Sequence, residues 1–450
     1  SQGMRFTDAH SNSAVCTPTR YGVLTGRYSW RTRLKSGVLW GYSRPLIEEN
    51  RMTVASMLKE EGYSTACIGK WHLGLGWQAR DGEEGPWDIQ QDTPENQWTA
   101  EGIDFTKPLI AGPHTVGFDY FYGIPASLDM VPYCYIENDR VVEPPTEQIE
   151  EGDPAEDGWW RPGPISPGFK HIETLPRLTD KAVDYIDAQA GEESPFFLYF
   201  PLTAPHVPIA PVDEVRGKSE AGGYGDFVYQ VDQTIGAVMD ALERNGMAEN
   251  TLLIVTSDNG SHTRTKQDRS NYSVLKYYDH NPSNGFRGIK GDAWDGGHRT
   301  PFLARWPEVI PAGTQSHETI CLTDFMRTCA SIVDRKVPTD AAEDSYDLLS
   351  LLKGERHHTP LREATIHHSL DGMFAVRQGP WKLILGRGSG GFTSPRRREI
   401  EPGEPEGQLY NLNIDTGEEN NLYEEYPEVV EKLTAILEKY QEEGRSYPAG

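Results

Sequence analysis

The sequence predicts an α/β fold, on three observations. Helix and strand patterns alternate along most of the 450 residues, as expected where strands are covered by helices. Two short unbroken apolar runs, Phe196–Phe200 and Leu252–Thr256, have the composition of strands buried on both faces. Each follows a stripe at helical spacing: Leu178, Ala182, Tyr185 and Ile186 before the first, and Phe227, Val231, Ile235, Val238 and Leu242 before the second. A chain of this length buries a large core and is expected to form more than one layer system or domain.

In order along the chain, Ser1 to Asp8 reads as a helix that ends at Gly3 and a short strand that follows it. Pro18 has its φ preset and no N–H to lose, so it suits the first turn of a helix. Thr17 before it reads as the N-cap, which puts Cys16 just ahead of the helix. Residues 53–61 predict a helix capped by Thr53, striped by Val54, Met57 and Leu58, and stopped by Gly62. Tyr63–Ile68 predicts a strand running into Gly69-Lys70-Trp71-His72-Leu73-Gly74. The stretch from about 77 to 170 is rich in Gly, Pro, Asp, Glu and Trp and reads as a long irregular insertion. The two helix–strand pairs named above come next, and Gly246 closes the second helix.

Residues 261–300 are polar and Gly-rich and read as loop; Phe302–Arg305 predicts a strand and Asp324–Val333 a helix. Near 362 the texture changes. Met373–Arg377 and Trp381–Leu385 predict a hairpin around Gly379-Pro380. Gln408–Leu412 adds a strand, and residues 427–441 predict a helix with Val429, Leu433, Ile436 and Leu437 inward. This divides the chain into a larger domain, 1–360, and a C-terminal subdomain, 361–450. The arginine cluster Arg396-Arg397-Arg398 sits in a solvated loop and is a candidate contact for a polyanion.

Composition narrows the function. The formal net charge is −25, the opposite of a nucleic-acid binder, so an anionic substrate must be drawn by local cations. No apolar run is long enough to span a bilayer. The cysteines are Cys16, Cys67, Cys134, Cys321 and Cys329; an odd number with no Cys-x-x-Cys pair supports neither a disulfide framework nor a zinc site.

Cys16-Thr17-Pro18-Thr19-Arg20, followed by Leu24-Thr25-Gly26-Arg27, places a cysteine at a helix N-terminus, where N–H groups and the dipole favour an anion. Arg20 adds a planar cationic fork. This run resembles the signature of the type I sulfatases, in which the cysteine is oxidised to formylglycine and its hydrated aldehyde attacks the sulfur of a sulfate ester. The resemblance covers essentially the whole chain from residue 3. It implies an alkaline-phosphatase-like fold: a central mixed sheet flanked by helices, plus a smaller C-terminal antiparallel sheet with a helix. It also implies a maturing partner, a formylglycine-generating or anaerobic sulfatase-maturating enzyme. The family's opening strand carries two metal-binding aspartates and is expected upstream of Ser1.

Further motifs fit the same chemistry. Lys70 and His72 stand two apart, which on an extended segment turns both to one side; Lys70 can hold a sulfate oxygen and His72 can orient or deprotonate the nucleophile. His206, in Ala204-Pro205-His206-Val207-Pro208, follows a strand as cleft residues do in open α/β sheets; the resemblance makes it the proton donor to the leaving alcohol. Asp258 and Asn259 follow another strand as paired oxygen ligands for a hard cation. The resemblance implies Ca2+, with Mg2+ the alternative, and Cys16 in its diol form as a further ligand. Lys290, in Gly288-Ile289-Lys290-Gly291 ahead of Gly296-Gly297-His298-Arg299, takes the family's sulfate-contacting lysine role. His298 is a weak substrate candidate and Arg299 structural. Ser127 fits the position of a sulfate contact, and Asp129 and Tyr133 that of pocket-lining residues.

Together these predict a sulfuric ester hydrolase acting on a sulfated carbohydrate, a polysaccharide or glycosaminoglycan fragment. Trp77, Trp87, Trp98, Trp159 and Trp160 are the candidate sugar-stacking surfaces. The rival readings are a phosphodiester or phosphonate monoester hydrolase, and a catalytically silent binder of sulfated glycans. Family habit implies a periplasmic or secreted location, lysosomal in a eukaryote.

Overall fold

The computed structural model describes residues 2–82, 102–152, 158–262, 273–355 and 357–448. They form two compact units, one from residues 1–38, 249–263 and 281–450, the other from 39–248 and 264–280.

In the first unit, Met4–Phe6 is an inner strand of a four-stranded sheet. The order is Leu253–Thr256, Phe302–Arg305, Met4–Phe6, Thr314–Ser316. Met4–Phe6 runs antiparallel to Phe302–Arg305 and parallel to Thr314–Ser316. Phe6 meets Phe302 edge-on, centroids 5.2 Å apart, over a core with Met4, Ile320, Leu322 and Leu352. A second sheet is wholly antiparallel: Thr365–His368, Phe374–Gln378, Trp381–Ile384 and Gln408–Asn411, in chain order. Its hairpin turns at Gly379, whose φ of +53° suits a residue without Cβ. The helix Pro427–Glu442 covers one face, placing Leu433, Ile436 and Leu437 with Ile366, Val376, Leu383 and Leu409. Each such side chain is worth about 1.5–3 kcal/mol of burial.

In the second unit, Ser64–Lys70 is the fourth of five strands, in the order Arg140–Val141, Ile136–Glu137, Tyr120–Ile124, Ser64–Lys70, Phe196–Tyr199. It runs parallel to both neighbours. The helices His171–Ala188 and Gly222–Arg244 pack together, with Thr179 and Thr234 hydroxyls 3.0 Å apart.

Several expectations need correction. Phe196–Tyr199 and Leu253–Thr256 are not buried on both faces; each lies at a sheet edge and is partly exposed, because an edge strand has one neighbour to cover it. The Gly- and Pro-rich stretch 77–170 is not irregular throughout: it supplies Tyr120–Ile124, an inner strand, and the paired strands Glu147–Ile149 and Gly163–Ile165. Residues 261–300 include the short helices Ser273–Tyr278 and Asp295–His298. The strand Thr365–His368 is an addition, its two histidines having masked a buried β segment.

Candidate active site

In the first unit the site is built around the helix Cys16–Thr25. Cys16 is its first residue, and Val15, in extended conformation, is the N-cap with no capping side chain. Thr17 therefore lies inside the first turn, a correction to its expected capping role. Cys16 is buried and unbridged. Asn12 braces the turn, its Nδ2 donating to Pro18 O at 3.0 Å. Gly22 leaves room for it: a Cβ there would stand 2.4 Å from Asn12 Oδ1. Thr19 donates its hydroxyl to Ser13 O at 3.0 Å.

Arg20 lies one turn beyond Cys16, on the same face. Its Nε and Nη2 are 2.8 and 2.7 Å from Asp258 Oδ2. Asp258 and Asn259 follow the strand Leu253–Thr256. Asn259 donates Nδ2 to Gly260 O at 3.0 Å, while its Oδ1 is buried with no hydrogen-bond donor. A buried amide oxygen without a donor, beside a carboxylate, fits a hard cation. Lys290 is buried, and its N–H donates to Ser261 O at 3.0 Å. The next residue, Gly291, donates to Ala14 O at 2.8 Å, which ties the Lys290 turn to the segment leading into Cys16.

In the second unit, Lys70 ends its strand and is buried. Its Nζ donates to Ser127 Oγ at 3.3 Å, and Ser127 Oγ lies 3.1 Å from His206 Nδ1. Asp129 Oδ1 stands 3.7 Å from the same nitrogen. Lys70, Ser127, Asp129 and His206 are thus brought together. His206 Nδ1 is 2.7 Å from Val207 O, so this nitrogen carries the hydrogen and Nε2 faces away from that carbonyl. His72 Nε2 likewise donates to Leu39 O at 2.7 Å. The segment after Lys70 is not extended, however: Gly69 and His72 have φ of +133° and +58°. The two-residue spacing therefore does not act by strand alternation.

Sequence reasoning missed Asp292. Its Oδ2 accepts Ile289 N–H at 2.9 Å, and its Oδ1 accepts Phe392 and Thr393 N–H at 2.8 and 3.0 Å. It anchors the Lys290 turn to a loop about a hundred residues on, a partner that local pattern cannot reveal. Burial raises its carboxyl above the ordinary range while these donors oppose the shift.

Other candidates turn inward. Tyr133 spends its hydroxyl on Arg161, donating to its O at 2.9 Å and accepting its N–H at 3.0 Å. Trp77 is buried and bonds Gly41 O at 2.9 Å; Trp160 stacks on His171 at 4.3 Å. These two pack the protein rather than present a free face. Trp87 and Trp98 lie outside the described residues. Arg396 and Arg397 pair with Asp371, and Arg398 with Glu404. The remaining cysteines are buried and unbridged, burial pushing the Cys321 and Cys329 thiols up to about 11 and 12.

His298, the substrate candidate, is buried in a cluster with His10 and His367. His10 Nε2 bonds Asp8 at 3.1 Å and His367 Nδ1 donates to Ser11 O at 2.9 Å. His298 and His367 stack with centroids 4.0 Å apart and planes 9° from parallel. One ring nitrogen of each of the three histidines lies within 4.8 Å of the other two. Burial lowers the basicity of all three, and the cluster holds the segment ahead of Cys16.

The Sulfatase family model matches residues 1–334. An N-acetylgalactosamine-6-O-sulfatase of Bacteroides thetaiotaomicron is 32% identical over 469 residues, covering 97% of this chain and 86% of the relative. Human arylsulfatase A is 30% identical over 444 residues, covering 93% and 76%. A solved Bacteroides thetaiotaomicron sulfatase, described under the metabolism of multiple glycosaminoglycans, superposes with a TM-score of 0.81 at 30% identity, covering 97% of this chain and 92% of the other. The likenesses bear out the α/β, alkaline-phosphatase-like reading of the fold.

Proposed function

Since the chain belongs to the Sulfatase family and is a sulfuric ester hydrolase, we propose that it removes sulfate from a sulfated carbohydrate, with residue 16 as formylglycine and a divalent cation at Asp258 and Asn259. The observation that carries this reading is Arg20 fixed on Asp258 one turn beyond Cys16, at a helix N-terminus whose N-cap, Val15, has no polar side chain. The 6-O-sulfated N-acetylgalactosamine in the name of the Bacteroides relative supports the carbohydrate class.

When present, the hydrated aldehyde supplies an oxygen nucleophile, and Ca2+, or Mg2+ in its place, withdraws charge from the sulfate oxygens. Asp258, the orphan oxygen of Asn259 and residue 16 would hold the ion. The chain's own side chains do the rest. In the first unit Arg20 and Lys290 are the cations suited to the charge of a sulfate group, and in the second unit Lys70 is. Ser127 holds Lys70 and orients His206. His206, its Nδ1–H engaged, carries on Nε2 the proton that the departing alcohol oxygen takes up. His72 donates Nε2–H to Leu39 O, which leaves Nδ1 as the basic nitrogen that assists proton loss when sulfate is released. These residues fall within 1–360, and 361–450 supports them.

The reading further implies maturation by a formylglycine-forming enzyme and a periplasmic, secreted or lysosomal location. Among the described residues no helix is long and apolar enough to cross a membrane.

The test is desulfation of defined sulfated mono- and oligosaccharides, including 6-O-sulfated N-acetylgalactosamine, by protein co-expressed with a maturing enzyme. Peptide mass spectrometry of residue 16 accompanies it. Sulfate release with an aldehyde at 16, abolished in Cys16→Ala, is the expected result. Undiminished turnover by Cys16→Ala overturns the mechanism.

A further inference from the structure

Arg161 lies outside every motif used above, yet it is set with unusual care. Its guanidinium sits over the rings of Trp40 at 4.8 Å and Trp159 at 4.5 Å, contacts in which a cation is held by ring quadrupoles. Its Nη1 bonds the Asp129 carboxylate through Oδ2 and the Asp129 carbonyl at 3.2 Å, and its backbone N–H reaches the same carbonyl at 3.3 Å. The Asp129 side chain is only 4% exposed. With Oδ2 taken by Arg161, Oδ1 is left buried without a hydrogen bond, 3.7 Å from His206 Nδ1.

We propose that Arg161 is a positioning residue that acts through Asp129 on the proton held by His206. The inference rests on His206 as proton donor. A carboxylate this close favours the charged imidazolium over the neutral ring. Arg161 fixes which oxygen faces His206 and offsets part of the carboxylate's charge, so the histidine binds its proton firmly without being trapped in a closed ion pair. Among the described residues, Lys70, through Ser127, and Asp129 face His206 from adjacent elements. Those facing Asp129 are Arg161, Tyr133 and His171. Burial lowers the His171 imidazole to about 4 and raises the Tyr133 phenol, so both stay neutral near pH 7. Of the groups named, Lys70, Asp129 and Arg161 carry charge.

The two acting side chains carry opposite charges, so their removal moves His206 in opposite directions. The experiment is an NMR titration of the whole protein with 13C-labelled histidine, the His206 signal being assigned by its loss in His206→Gln. Asp129→Asn is expected to lower the His206 midpoint by on the order of one pH unit, and Arg161→Gln to raise it by roughly half a unit. An unmoved midpoint in either variant, or a shift of both in one direction, overturns the proposal and leaves Arg161 a packing residue. Should Arg161→Gln fail to fold, Trp159→Leu removes one face of the clamp and carries the test: an upward shift supports the proposal and an unmoved midpoint overturns it. The titration needs no substrate, so it decides between these outcomes even if the carbohydrate panel shows no sulfate release. With an active enzyme, the basic limb of kcat/KM follows the same two shifts.

Discussion

Arg20 and Asp258 meet through one oxygen: Nε and Nη2 of the arginine both address Asp258 Oδ2, at 2.8 and 2.7 Å. The next residue, Asn259, has an undonated Oδ1 beside this carboxylate in sequence. The arrangement predicts a cation-dependent stability. Chelator-treated protein should melt a few degrees higher once Ca2+ is restored, since an ion bound only by the folded state adds about 2.7 kcal/mol at a hundredfold excess over Kd. Asn259→Leu, close in shape but with no oxygen, should lose most of that rise. Equal Ca2+-induced shifts in Asn259→Leu and the native protein would remove the cation from these residues.

Lys70, 2% exposed, reaches Ser127 Oγ at 3.3 Å and is held where a flexible surface lysine would not be. Lys70→Ala should lower kcat by about 10²–10³, the range for loss of one preorganised charge donor. Ser127→Ala, which removes a neutral hydroxyl, should cost roughly tenfold. Lys70→Arg should not rescue, because the site encloses the narrow ammonium. Steady-state kinetics on the matured enzyme checks the ranking, and a Ser127→Ala defect equal to that of Lys70→Ala would contradict it.

The readable parts of the sequence were those where one local rule governs. Thr53 caps its helix, accepting Ser56 N–H at 3.0 Å, because capping needs only neighbours. The hairpin at Gly379-Pro380 and the helix at Pro427 followed turn chemistry and periodicity in the same way. The cysteine motif marked its own helix, although its cap fell to Val15. What was hidden depends on partners far along the chain. Edge position decides whether Phe196–Tyr199 is covered. Asp292 finds its donors at 392 and 393. Arg161 needs residues 40, 129 and 159 in one place. No window of the sequence contains such a set.

Lys382 sets a pH dependence. Its ammonium lies 2.8 Å from both Asp295 Oδ1 and Glu418 Oε1, all three buried. One cation cannot fully satisfy two carboxylates. Burial, with Asp295 adding to it and Lys382 opposing, pushes the Glu418 carboxyl from 4.5 up to about 7. A carboxyl raised in the folded state stabilises below its unfolded value and loses that contribution as pH climbs to the folded one. Stability from Glu418 is therefore full below about pH 4.5 and gone above about 7, at up to about 1.4 kcal/mol per pH unit between. Glu418→Gln is uncharged at every pH. The native-minus-variant stability difference, from urea titrations at several pH values, should fall from pH 4.5 to 7 and then level; a flat difference would show the carboxyl titrating normally.

Asp344 predicts where the first unit is most easily broken. It is fully buried and accepts four donors: Arg31 Nε and Nη2 at 2.8 Å each, Tyr28 N–H at 2.9 Å and Ser446 N–H at 2.9 Å. Arg31 also donates Nη1 to Tyr440 O at 2.7 Å and lies over Trp30 at 4.2 Å. The pair thereby fastens residues just beyond the Cys16 helix to the chain's last helix and the segment after it. Asp344→Ala strands a guanidinium that is 4% exposed, and should cost about 3–5 kcal/mol. Asp344→Leu with Arg31→Leu removes both charges and should cost less than the sum of the single changes, because neither buried ion is left alone. Urea midpoints for the two singles and the double decide it. Strict additivity would mean that the guanidinium finds water when its partner is gone, and that the fastening rests on the backbone donors instead.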